Sequence, residues 1–142
     1  MTTVRHLLDR KGRAIFRIGA DEPVLEAIRS MAEHHVGALL VMREQELIGI
    51  VSERDYARKV ILKGRSSSET PVSQIMSAPV TTVTLDTTVE QCMRLMTDGR
   101  IRHLPVVERG RVAGVVSIGD LVKAVMEDQK QTIEQLESYI HS

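Results

Sequence analysis

The 142-residue sequence has one cysteine, no tryptophan and only three aromatic side chains, Phe16, Tyr56 and Tyr139. With Cys92 alone, neither an intramolecular disulfide nor a thiolate metal cluster can form. So few aromatic rings exclude the stacking platforms on which proteins hold single-stranded nucleic acid. Charge of one sign is also missing: 19 basic residues balance 19 acidic ones, which argues against a general polyanion binder. No apolar run approaches the roughly 20 residues needed to cross a bilayer. Met1 to Asp9 is interrupted by Arg5, His6 and Asp9, unlike the apolar core of a signal peptide. These absences predict a cytoplasmic protein with no membrane or nucleic-acid partner. The chain is also shorter than the roughly 200 to 250 residues of an α/β barrel.

What is present is an aliphatic core in waiting, with 42% apolar residues supplied almost wholly by Val, Ile, Leu, Met and Ala. The sequence also repeats itself. Shifted by 65 residues, Ala20 to Ile61 aligns without gaps on Leu85 to Met126, and 11 of the 42 pairs are identical, against roughly one in twenty for unrelated residues. Val24, Ala27, Ile28, Met31 and Ala32 recur at helical spacing, as do Val89, Cys92, Met93 and Met96. Asp21 and Asp86 stand where an N-cap or first-turn acid would help these helices. Each helix is followed by two apolar runs about a short polar turn, Ala38 to Met42 with Leu47 to Val51, and His103 to Val107 with Val112 to Val116. Both pairs predict β-hairpins, with Gly110 in the second turn. Strands at Ile15 to Ile18 and Val80 to Val83 and helices from Asp55 and Asp120 complete a β-α-β-β-α unit in each copy. The predicted division is a first repeat over 1–63, a polar linker over 64–71, a second repeat over 72–127 and a helical tail over 128–142. From the end of the second repeat into that tail, Val122, Met126, Gln129, Ile133, Leu136 and Ile140 alternate steps of four and three, the spacing of a short coiled-coil seam or of a helix packed on its own domain.

The polar residues that recur at matching places are Ser52 with Asp55, in GIVSERD, and Ser117 with Asp120, in GVVSIGD. Two readings are open. Ser and Asp three apart at a helix start form a capping box. The same pair suits a ligand, since a carboxylate accepts the hydroxyls of a ribose while a hydroxyl and a helix N-terminus meet a phosphate. His34 and His35 end a helix, where solvation or the helix dipole accounts for them. Cys92 lies on an apolar face as a core residue. No metal site is expected. Neither a GxxxxGK[ST] loop nor a nucleophile set in recognisable context is present, so the chain does not read as an enzyme.

The segments VGALLVM…GIVSERD and IRHLPVV…GVVSIGD resemble the CBS-domain proteins, in the form of the stand-alone bacterial tandem pair called a Bateman module, over about nine-tenths of the chain. The resemblance implies an α/β fold of two tandem repeats packed about a pseudo-twofold axis, with clefts between them that take AMP, ADP, ATP, NAD(H) or S-adenosylmethionine. It makes Asp120 and Asp55 ribose acceptors and puts Ser117 and Ser52 beside ribose or phosphate. Arg102 and His103, ahead of Leu104-Pro105-Val106, take the position from which basic groups reach phosphate. The first repeat has Gly37 and Ala38 there instead, so the clefts should be unequal, with Arg54 serving Asp55. Phe16, Val36, Gly37 and Ala38 would border the Asp120 cleft, and Thr81, Thr82 and Ile101 the other, with adenine against Pro105. The implied function is a non-catalytic sensor of adenosine-containing ligands, a homodimer that signals to a regulated protein the sequence does not name. The alternative is a constitutive dimerisation module whose clefts are degenerate.

Overall fold

The computed structural model describes residues 1–141, and Ser142, the last residue of the expected tail, lies outside them. In chain order the elements are α1 (Val4–Lys11), β1 (Arg17–Gly19), α2 (Val24–His34), β2 (Ala38–Arg43), β3 (Glu46–Ser52), α3 (Glu53–Tyr56), α4 (Val89–Gly99), β4 (His103–Glu108), β5 (Arg111–Ser117) and α5 (Ile118–His141). A π turn over Ala57–Ile61 extends α3, and a 3-10 turn spans Val72–Gln74. No helix among the described residues is long and apolar enough to cross a membrane. The chain forms two compact units. One joins Met1–Arg13 to Thr82–Glu108 and to residues 113–141, and the other joins Ala14–Thr81 to Arg109–Val112. They are called here the C-unit and the N-unit.

In the N-unit, β1 runs parallel to β2, which pairs antiparallel with β3. Val24, Ala27 and Met31 turn one face of α2 into a core with Leu39, Val41, Val51, Val60, Val72 and Ile75. β4 and β5 form a hairpin whose strands belong mainly to the C-unit, while residues 109–112 count with the N-unit. Its tip places Arg109 and Gly110 at φ +53° and +77°, the left-handed pair that a tight two-residue turn requires. Val89, Cys92 and Met96 of α4 pack with Leu104, Val106, Val116 and Leu121.

Four expectations need correction. The strand expected at Val80 to Val83 shrinks to one bridge, in which the Val83 N–H donates to Pro105 and Val107 donates to Val83. In the N-unit the ladder runs further because Leu40 donates its N–H to Phe16, whereas Pro105, at the matching position, has no N–H to give. The strand expected at Ile15 to Ile18 begins only at Arg17. Asp21 and Asp86 do not cap: α2 starts after Pro23, and Thr88 caps α4 through a box with Gln91. Ala32 is exposed instead of joining the core face.

The compact units also cut across the linear boundaries 1–63, 64–71, 72–127 and 128–142, for a visible reason. Each repeat is completed by a segment lying upstream of the other. In the C-unit, Val4 donates to Thr87, Arg5 to Leu85, and Val89 to Thr2; in the N-unit, Val72 donates to Glu22, Ser73 to Ala20, and Val24 to Thr70. The three bonds correspond one to one. Thus α1 does for the C-unit what residues 70–76 do for the N-unit, and the expected linker ends docked on α2 instead of hanging free. Gly114 and Gly49 receive these segments: a Cβ on Gly114 would stand 2.9 Å from Leu8, and one on Gly49 would stand 2.5 Å from the sulfur of Met76.

Candidate functional site

Each Ser–Asp pair sits where the last strand of its sheet passes into a helix. The turn is held by one backbone bond common to both: Ile118 donates to the carbonyl of Arg102, and Glu53 to that of Gly37. Both pairs form a capping box. The Asp55 N–H donates to Ser52 Oγ at 3.1 Å and the Ser52 N–H to Asp55 Oδ2 at 3.0 Å. At the second site the Asp120 N–H donates to Ser117 Oγ at 3.2 Å and the Ser117 N–H to Asp120 Oδ2 at 2.8 Å. Capping therefore occupies one carboxylate oxygen in each repeat.

The second oxygen distinguishes them. At Asp55, Oδ1 takes the ammonium of Lys59 at 3.1 Å, while Oδ2 also accepts the Ser52 hydroxyl. Lys59 lies on the π turn, a departure from α geometry often found at functional sites, and it also donates to the carbonyl of Ile75. Both oxygens are engaged, and the side chain is 13% exposed. At Asp120 the ammonium of Lys11 arrives at 2.6 Å on the same Oδ2 that closes the box, and it donates as well to the carbonyl of Val115. Oδ1 is left to a further donor on a side chain 23% exposed.

Lys11 meets Asp120 directly, and His103 feels Lys11, Asp120 and its neighbour Arg102. Burial opposes the charged form of Asp120, but the hydrogen bond from Lys11, the Ser117 N–H and the attraction of Lys11 outweigh it, and the carboxyl lies below its ordinary 3.8. His103 is held below its ordinary 6.5, chiefly by burial and then by Lys11 and Arg102, against the opposing pull of Asp120. A neutral imidazole beside two fixed cations offers a neutral hydrogen bond and leaves Lys11 and Arg102 to carry the charge.

The other expected residues divide between the units. Ile101 packs against the C-unit core, Pro105 is buried in β4, and Thr82 is exposed. In the N-unit, Phe16 stacks on His34 with ring centroids 4.2 Å apart, and His34 stays exposed at the end of α2. Arg54 is half-buried in α3, Thr81 is exposed and Ala38 begins β2. Val36 and Gly37 line a groove of about 480 Å³ with Ile28, Met31 and Tyr56; neither Ser52 nor Asp55 is in its wall. Besides Tyr56 and its apolar residues that groove has only His35 and Glu53 as ionisable groups in its wall, whereas each Ser–Asp turn pairs a carboxylate with a hydroxyl and a lysine. Cys92 is buried, and burial pushes its thiol up to about 11, the state of an inert core residue. Lys11 is the site residue that the sequence did not suggest. It lies 109 positions from Asp120, and no spacing rule connects the two.

Comparison with known proteins accords with this architecture. The family model for the CBS domain matches residues 4–62 and 72–127. A mitochondrial CBS domain-containing protein of Arabidopsis thaliana, CBSX3, is 42% identical, with 98% of this chain and 72% of the relative covered. A solved protein with CBS domains from Burkholderia ambifaria is 49% identical, with a TM-score of 0.87 over 90% of this chain and 96% of that one. A CBS domain protein from Pyrobaculum aerophilum, solved in complex with AMP, is 25% identical, with a TM-score of 0.74 over 83% of this chain and 88% of that one. The chain belongs to the CBS-domain family and carries two CBS domains in tandem.

Proposed function

We propose that the protein is a non-catalytic regulatory module, active as a homodimer, that binds an adenosine-containing ligand, AMP, ADP, ATP or NAD(H), with Asp120 as the principal ribose acceptor. The observation that carries this reading is the unequal use of the two carboxylates. Asp120 closes its capping box and meets Lys11 through Oδ2 alone, while Oδ1 stays available to a hydroxyl donor. Lys11 and Arg102 supply positive charge for a phosphate, and His103 adds a neutral hydrogen bond. The AMP complex of the Pyrobaculum aerophilum relative supports the ligand class. Asp55, with both oxygens engaged, makes the weaker site.

Calorimetry on nucleotide-stripped protein tests the reading. Heat should be released by one of these ligands at or below millimolar concentration, and silence from all of them would refute it. Asp120→Asn keeps an oxygen for the cap but loses the charge, and it should weaken binding by about ten- to a hundredfold; unchanged affinity would remove Asp120 from its role.

A second reading is a constitutive dimerisation module in which both Ser–Asp pairs are only caps. The exposed apolar row on α5 favours it. The readings part on heating, because a true site raises the melting temperature with ligand concentration and a degenerate one does not.

A further inference from the structure

One side of α5 belongs to the C-unit core through Leu121 and Ala124, and the helix then continues to His141 with an apolar row in solvent. Val122, Met126, Ile133, Leu136 and Ile140 are 45%, 64%, 56%, 57% and 75% exposed. In proteins most helical stability comes from packing an apolar face. Here the first turns are anchored in a folded unit, so a partner helix would pack on a row already formed. Alternating steps of four and three make Met126, Ile133 and Ile140 a positions and Val122, Gln129 and Leu136 d positions.

We infer that this row is the contact between two copies of the chain and that the two α5 helices pair antiparallel. Charge decides the direction. The flanking e positions are Lys123, Lys130 and Glu137 and the g positions are Val125, Thr132 and Tyr139. In a parallel pair e faces g of the other helix, which sets lysine against valine and glutamate against threonine, with no ion pair. In an antiparallel pair a layers face d layers. Val122 then meets Ile140, Met126 meets Leu136, and Gln129 meets Ile133 of the second copy, so all six positions are used. In that register e faces e, and Lys123 falls opposite Glu137 at both ends by symmetry. Lys130 meets its own copy at the centre, where Glu134, four residues on, offsets part of the repulsion.

A second observation falls at the same place. Met1, Val89, Val125, Gln129 and Ile133 contribute to the walls of a groove of about 490 Å³ in the C-unit. The antiparallel register sets Tyr139 of the second copy beside Val125, at this groove, and that ring is 81% exposed on its own helix.

This inference rests on the homodimer part of the proposed function and is independent of the nucleotide part. Sedimentation velocity of the full chain at micromolar concentration tests it, with circular dichroism as a check that each variant is folded. The wild type should be a dimer and Ile133→Glu/Leu136→Glu a monomer. Lys123→Glu and Glu137→Lys should each weaken the dimer by about three- to thirtyfold, and the double charge swap should restore it. Lys130→Cys should cross-link to its own copy on mild oxidation. A folded double-glutamate variant that stays dimeric would overturn the seam and leave the homodimer standing, whereas a monomeric wild type would overturn both. A charge swap that restores nothing would overturn the antiparallel register.

Discussion

Asp120 illustrates how one side chain can close a cap and keep an oxygen over. A carboxylate has two oxygens, and closing the α5 cap takes one of them. The capping box, one of the two readings the sequence leaves open, is present at Asp120, and it is compatible with the proposed ligand role. At Asp55 the cap and Lys59 use both oxygens. The surroundings of Asp120 also fix a response to pH. His103 and Asp120 both lie below their ordinary values, His103 through burial first and Asp120 through Lys11 and Ser117 against the cost of burial. The folded state therefore binds each proton later than the unfolded chain does. The contribution of His103 is complete above its ordinary 6.5 and is lost as pH falls from there through its folded value. That of Asp120 is lost in the same direction, starting from 3.8. Urea midpoints measured from pH 7.5 to 5 should decline, and His103→Gln should flatten the decline; a parallel curve would exclude His103 as its source.

Among the elements, those dominated by local pattern were the most legible. Val24 to Met31 and Val89 to Met96 announce helices by spacing, and the two hairpins fall within a residue or two of the expected runs. Helix α1 went unread although Val4, Leu7 and Leu8 stand at helical spacing, because so short a stretch shows little more than one turn of pattern. Its kinship with residues 72–76 is also displaced to an offset of 68, outside the 65-residue register of the main repeat. Its packing on Gly114 yields a test. Leu8 is 1% exposed, and Leu8→Ala should lower stability by about 2 to 5 kcal/mol. Gly114→Ala forces a Cβ against the same leucine, so the double variant should cost less than the two single costs added. Strict additivity in urea titrations would show that the two residues do not share that space.

For the molecule as a whole, duplication was evident in the sequence, but the assignment of segments to units was not. Repeats are found by comparing residues along the chain, whereas units are found by which residues bond, and here the entry segments are exchanged. Lys11 follows from that exchange, for it reaches Asp120 only because α1 completes the C-unit. A chain beginning at Ala14 would lack Val4, Leu7 and Leu8 from the C-unit core while keeping the N-unit core whole. Amide exchange should then quicken in β4 and β5 well before β2 and β3. Equal loss of protection in both sheets would mean that α1 matters no more to one unit than to the other.

The exchange of entry segments also sets an order of events at the ribosome. Helix α1 is made first, yet its place lies among strands and a helix that begin after residue 81. The N-unit can gather most of its core by then, but α1 must wait for Val116 and Leu121. At ordinary rates of synthesis that is a delay of about 5 to 20 s. During it Val4, Leu7 and Leu8 stay uncovered, and Arg5, Arg10, Lys11 and Arg13 keep the waiting segment strongly cationic and soluble. The charges that later meet Asp86, Glu127 and Asp120 thus serve the nascent chain before they serve the finished one.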